Sequence, residues 1–255
     1  MGTNTDHAPF LLLSIREDEV AADDEYAAIM RFADLDDAGL RRIVLTDQEL
    51  GPIELGDWSG IVLGGGPYNV SDDQKSPTQL RVERELVGLI GATIEQDFPF
   101  LGCCYGVGTL GAAIGARIDA TYSEPVGAVT VSLTDAGAED HLFTGMPREF
   151  DAYGGHKEAV TELPRGAVPL ASSTACPVQA FRVGRNAYAT QFHPELDVDG
   201  LCTRIDAYSG HGYFDPETAE TLKADARQRS VVSPPIILRN FVERYRRPLK
   251  HGNRS

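Results

Sequence analysis

Two glycines bracket a cysteine at fixed spacing in Pro99-Phe100-Leu101-Gly102-Cys103-Cys104-Tyr105-Gly106. An apolar strand that turns sharply into a helix needs small residues two before and two after the turning residue, because backbone passes close to backbone there. Gly102 and Gly106 satisfy that rule around Cys104. Around Cys103 the equivalent positions are Leu101 and Tyr105, so spacing selects Cys104 as the exposed thiol and leaves Cys103 as packing. A helix starting there is expected to favour the thiolate.

The surrounding pattern sets the fold class. Short apolar runs at Phe10–Ile15, Arg42–Leu45, Gly60–Leu63 and Phe98–Leu101 read as strands covered on both faces. They alternate with helical patterns at about Glu17–Leu35, Pro77–Gln96 and Gly106–Ile114. This order predicts an α/β protein with a three-layer, mostly parallel twisted sheet and helices on both faces. Further strands are expected at Arg117–Tyr122, Val126–Leu133, Val168–Ser172, Val178–Val183 and Ala187–Phe192, with a turn at Glu124-Pro125. Helices at about Gly200–Tyr208, Pro216–Arg229 and Pro235–Arg246 close the chain. The expected division is a domain over 8–199 and a C-terminal helical extension over 200–255 packed on it.

Composition narrows the function classes. Among 255 residues, Asp and Glu outnumber Lys and Arg by 38 to 23, for a formal charge of −15. That disfavours nucleic acid and anionic membranes as partners, and the basic tail Arg244–Arg254 reads as a solvated end. No apolar run approaches the roughly 18–20 residues of a membrane span, and Phe10-Leu11-Leu12-Leu13 is too short for a signal-peptide core. The four cysteines, Cys103, Cys104, Cys176 and Cys202, form no CxxC pair, so neither a metal site nor a disulfide framework is expected. The chain reads as cytoplasmic with reduced thiols.

A second segment supplies what a cysteine nucleophile needs. In Gln191-Phe192-His193-Pro194-Glu195, residues 193 and 195 project to one side of an extended backbone. Glu195 can then fix the tautomer of His193 and leave its other nitrogen for Cys104. Taken alone, the tripeptide also fits a surface loop. In Ile61-Val62-Leu63-Gly64-Gly65-Gly66-Pro67 a strand enters a glycine turn, which either presents bare N–H groups to an oxyanion or is a tight turn needing positive φ. His7, His141, His211 and His251 have no comparable setting.

Together these segments resemble the class I glutamine amidotransferases of the Cys-His-Glu type, in particular the glutaminase part of GMP synthases. Ala171-Ser172-Ser173-Thr174-Ala175-Cys176-Pro177 adds a weaker match. The resemblance implies a flavodoxin-like fold and a γ-glutamyl thioester on Cys104. His193 is then the base, Glu195 its orienting acid, and the N–H groups of Gly66 and Tyr105 the oxyanion hole. It implies no cofactor. Glutamine would be the substrate, with ammonia passed to an acceptor or to a synthetase on a separate chain. One position departs from the pattern: Gly108 stands where the family usually carries a substrate-binding glutamine. Gly154-Gly155-His156-Lys157-Glu158 sits where the family has a substrate-facing turn, so Gly108, His156 and Lys157 are the candidate substrate-binding positions. His156 also reads as a plain turn histidine. Two alternatives remain: a hydrolase for another γ-glutamyl amide, admitted by the space a small residue opens at Gly108, and a non-catalytic interaction protein that keeps the fold, suggested by the missing glutamine and the extra C-terminal helices.

Overall fold

The computed structural model describes residues 7–210 and 214–249; His211, His251 and the end of the basic tail lie outside the described residues. Its first half is a run of strand–helix units: β1 (Phe10–Ser14), α1 (Glu19–Ala33), β2 (Leu40–Val44), β3 (Gly60–Leu63), α2 (Pro77–Glu95), β4 (Phe100–Cys103) and α3 (Tyr105–Ala113). Caps fix the helix starts. Asp18 accepts from the Ala21 N–H at 2.8 Å, and Ser76 accepts from Gln79 N–H at 3.1 Å with Pro77 in the first turn.

The second half supplies β5 (Arg117–Asp119), β6 (Glu124–Leu133), α4 (Asp135–Glu139), β7 (Glu149–His156), β8 (Ala159–Glu162), β9 (Ala167–Ser172), β10 (Ala180–Val183) and β11 (Ala187–Thr190). The helices α5 (Val198–Ala207), α6 (Ala219–Arg227) and α7 (Pro235–Tyr245) follow. Nine strands form one sheet in the order β2-β1-β3-β4-β11-β10-β9-β6-β7, and β5 pairs with β8 separately. Pairing is parallel from β2 across to β11 and antiparallel beyond it. The fold class read from the sequence is the one found, with its parallel part carrying the site.

Alternation along the strands explains the layers. Phe10 and Leu12 face α1 and α7, whereas Leu11 and Leu13 face α2 and α3. The C-terminal helices belong to these layers. Phe241 of α7 packs on Phe10 with ring centroids 5.9 Å apart, and Asn240 donates to the carbonyls of Leu142 and Thr144. Leu201 and Ile205 of α5 and Ala226 of α6 enclose Tyr153, whose hydroxyl donates to the Ala226 carbonyl.

Three local readings change. Glu124-Pro125 is not a turn but the start of β6, where the register slips between Glu124 and Gly127; a bulge tolerates a proline that has no N–H for the ladder. Gly154-Gly155-His156 is not a loop but the end of β7. Gly155 is small because a Cβ there would lie 2.8 Å from the Val126 backbone of the neighbouring strand. Arg117–Tyr122 holds a strand only to Asp119 and then a single 3₁₀ turn.

Candidate active site

The site forms where the parallel strands end, the usual place for ligands in open α/β sheets. Arg16 follows β1, Gly64–Gly66 follow β3, Cys104 follows β4 and His193 follows β11. Cys104 sits at φ 54°, ψ −91° and caps α3. A non-glycine residue held there stores on the order of 1–3 kcal/mol of strain. Two features hold it: the Cys104 N–H donates to the Thr190 carbonyl at 2.8 Å, and Gly102 meets Gly106 so closely that a Cβ on Gly102 would lie 2.8 Å from the Gly106 Cα. The paired glycines act as the sequence rule requires. Cys104 is partly exposed, while Cys103 is buried on the α1 side of the sheet.

His193 and Glu195 are bonded as expected, Nδ1 to Oε1 at 2.7 Å. The sequence reading missed the third member of this group. Arg204 of α5 donates from Nη2 to the same Glu195 oxygen at 2.9 Å, and its Nη1 lies 3.1 Å from His193 Nδ1. All three are buried. A signal existed: Arg204 falls on the apolar stripe of α5 with Leu201 and Ile205, where a charge needs a partner. Arg16 was missed too. Its Nε donates to Glu25 at 2.8 Å, and the other Glu25 oxygen accepts from Ser14 at 3.0 Å. Arg16 directly follows the last residue of a buried run, at the end of the sheet where sites gather.

The glycine loop is small for reasons other than positive φ, which none of Gly64, Gly65 and Gly66 adopts. A Cβ on Gly64 would strike the Glu25 carboxylate, and one on Gly66 would strike Ile15. One on Gly65 would overlap His193 Cε1 and lie 3.3 Å from both Arg16 Nη2 and Cys104 Cβ. Gly65 is thus the point where the Cys104 side chain, the His193 imidazole and the Arg16 guanidinium converge. Gly66 borders the cavity beside Cys104, and Tyr105 is the first residue of α3, a position whose N–H has no carbonyl one helical turn before it to bond.

Gly108 does not leave open space. The Glu158 carboxylate occupies it, so a Cβ on Gly108 would lie 2.5 Å from Glu158 Oε1 and 3.0 Å from Val70 Cγ2. Glu158 is held there by the N–H groups of Val70 and Ser71 at 2.8 and 2.7 Å. Glu158 and Lys157 line a small recess next to Cys104 and Tyr105. His156 borders that recess with both ring nitrogens engaged, Nδ1 at 2.9 Å from the Glu158 carbonyl and Nε2 at 2.9 Å from Glu124. Glu124 also accepts from Ser173 and Gln179. Glu124, His156 and Cys176 bring possible metal donors within 4.8 Å of one another, but these hydrogen bonds already occupy the carboxylate and the ring.

Electrostatics refines the expectation of a thiolate. Burial pushes the Cys104 thiol up to about 12, against the opposing pull of Arg16, so the resting group is a thiol. Burial also lowers His193 despite the bond from Glu195, which keeps the imidazole neutral. Burial opposes the charge on Glu195, but His193 and Arg204 hold it well below the usual carboxylate range. A neutral thiol beside a neutral imidazole that is oriented by an ionised acid is set up for proton transfer during attack rather than before it.

Residues 37–199 match the family model for glutamine amidotransferase class-I. A glutamine-hydrolyzing GMP synthase subunit of Natronomonas pharaonis is 32% identical over 153 residues, which are 60% of this chain and 73% of that protein. The glutamine-hydrolyzing GMP synthase of Marinobacter nauticus is 32% identical over 158 residues, but the match spans 27% of its length. A glutamine amidotransferase structure from Thermotoga maritima superposes with a TM-score of 0.71 at 23% identity, over 94% of this chain and 98% of that one, a likeness of fold. The family match covers well over half of the chain, including the elbow and the His-Pro-Glu segment, and on it the chain belongs to the class I glutamine amidotransferases.

Proposed function

We propose that this chain hydrolyses the side-chain amide of glutamine through a thioester on Cys104. The observation that supports this most is the convergence at Gly65 of Cys104, His193 and Arg16, with His193 fixed by Glu195. In the proposed sequence, Cys104 Sγ attacks the amide carbon as its proton passes to His193 Nε2. The oxyanion rests against the N–H groups of Gly66 and Tyr105, each worth roughly 10²–10³ in rate. The C–N bond breaks as His193 returns the proton to the departing ammonia. Water, deprotonated by His193, then adds to the thioester, and the S–C bond breaks to give glutamate and free thiol.

Gly108, His156 and Lys157 are proposed to border the glutamyl half of the substrate. In this reading the carboxylate of Glu158, rather than a side chain at 108, faces that half. The ammonia goes to an acceptor or to a synthetase on a separate chain, as suggested by the name of the Natronomonas relative, which is one subunit of its GMP synthase. The division into a domain over 8–199 and an extension over 200–255 is part of the proposal, supported by the end of the family match at 199. So is a cytoplasmic location, which fits free thiols and the finding that no helix among the described residues is long and apolar enough to cross a membrane. The test is mass spectrometry of the intact protein after brief exposure to glutamine. A γ-glutamyl adduct on Cys104 together with glutamate release is expected; no adduct and no glutamate from any γ-glutamyl amide would sink the reading.

A further inference from the structure

We infer that the same site takes γ-glutamyl amides whose nitrogen carries a small apolar group ending in a carboxylate, held by Arg16. This rests on the reading of Cys104 as a nucleophile toward γ-glutamyl amides. It starts from the two spaces that flank Cys104. One, of about 20 Å³, is the recess beside Tyr105 and Glu158. The other, of about 70 Å³, also borders Cys104 and is lined by His193. The general acid must face the leaving nitrogen, because it delivers the proton there. His193 borders the larger cavity and not the recess. The amine therefore departs into the larger cavity.

The leaving group of glutamine is ammonia, which needs no such room. At 10–15 Å³ per water-sized group, the cavity holds about five. Its walls define what they would be. Leu196, Leu201, Ile205 and Phe214 supply an apolar body. Arg16 and Arg204 are the charged side chains that line it, and no carboxylate among the described residues does, in a chain with 38 acidic residues. Arg16 is 4% exposed, and its Nη2, the atom beside the Gly65 convergence, has no hydrogen-bond partner. A buried guanidinium N–H without an acceptor is costly unless a ligand supplies one. The neighbouring acids do not fill that role. Both Glu25 oxygens are engaged by Ser14 and Arg16 Nε, and Glu195 is turned to His193 and Arg204, with its second oxygen unpartnered. Arg16, Leu201, Ile205 and Phe214 lie outside the stretch 37–199 that matches the family model.

The reaction balances as before, with the substituted amine leaving in place of ammonia and carrying the proton from His193. The test compares γ-glutamylalanine with γ-glutamylethylamide, the same amide without the carboxylate, and with glutamine. Glutamate release gives kcat/KM for each. The wild-type protein is expected to favour γ-glutamylalanine over the ethylamide by about tenfold or more, the scale of one charge-assisted hydrogen bond, and to use it better than glutamine. In Arg16→Gln that ratio should fall toward one. The double variant Arg16→Gln/Glu25→Gln, which leaves no unpaired buried charge, should show the same collapse. A wild-type ratio near one, or a ratio that both variants leave unchanged, overturns the inference while glutamine turnover and the Cys104 adduct keep the underlying reading intact. Absence of the adduct and of glutamate with every amide overturns both.

Discussion

Cys104, His193, Glu195 and Arg204 form one electrostatic unit, and its titration is directly measurable. Because burial raises the thiol to about 12, alkylation of Cys104 by iodoacetamide should keep accelerating with pH through the range where an ordinary cysteine, near 9, has levelled off. A plateau at neutral pH would show a preformed thiolate instead. His193 is held below its ordinary value of 6.5, so it stays neutral, as the proposed mechanism requires of its base, while the medium acidifies. The acid limb of kcat/KM should accordingly fall below 6.5. The sign for stability follows: the unfolded chain takes up this proton first, so the contribution of His193 is intact above about 6.5 and shrinks as pH falls through its lower folded value. Arg204→Ala leaves Glu195 with one partner fewer in a buried place. A loss of about 3 kcal/mol in urea unfolding is expected, together with a shift in the pH profile that a purely structural arginine would not produce.

At the scale of elements, the strand-turn-helix of β4 and α3 depends on contacts between glycines. Gly102→Ala places a methyl 2.8 Å from the Gly106 Cα. Overpacking of this kind costs about 1–3 kcal/mol, and the elbow should relax, so acylation of Cys104 should fall more than a hundredfold while the protein stays folded by circular dichroism. Gly108 and Glu158 form a second matched pair. Gly108→Gln restores the residue the family usually carries, but its Cβ meets the Glu158 carboxylate. We expect KM to rise in Gly108→Gln and to recover in part when Glu158→Gly is added, with a coupling of about 1 kcal/mol or more in the double-mutant cycle. Strict additivity would show that the two side chains do not share the space.

Across the whole molecule, the C-terminal helices serve two ends. Leu201, Arg204 and Ile205 of α5 reach the site, while α7 lies on the far side of β1 as core. Phe241→Ala should cost about 3–5 kcal/mol and leave kcat/KM of the folded fraction near wild type. A drop in kcat/KM matching the loss of stability would mean that α7 and the site are coupled. The chain also shows which parts of a site are visible before folding. The elbow was legible because backbone contact between Gly102 and Gly106 is a requirement of spacing within five residues. His193 and Glu195 were legible because two residues of extended chain set their common direction. Glu158 was not, because its position depends on the amides of Val70 and Ser71, almost ninety residues away.

The sequence by itself determined the parallel layering, the choice of Cys104 over Cys103 and the pairing of His193 with Glu195. Each is a matter of local period, glycine spacing or short extended geometry. Only the tertiary structure decided what surrounds them. Arg16, Glu25 and Arg204 meet through contacts between β1, α1 and α5, and the space at Gly108 is filled by a carboxylate from beyond β7. It also decided the state of the thiol. The helix start alone favours a thiolate, but enclosure by the assembled protein penalises the charge more strongly, and enclosure exists only once the distant segments have come together.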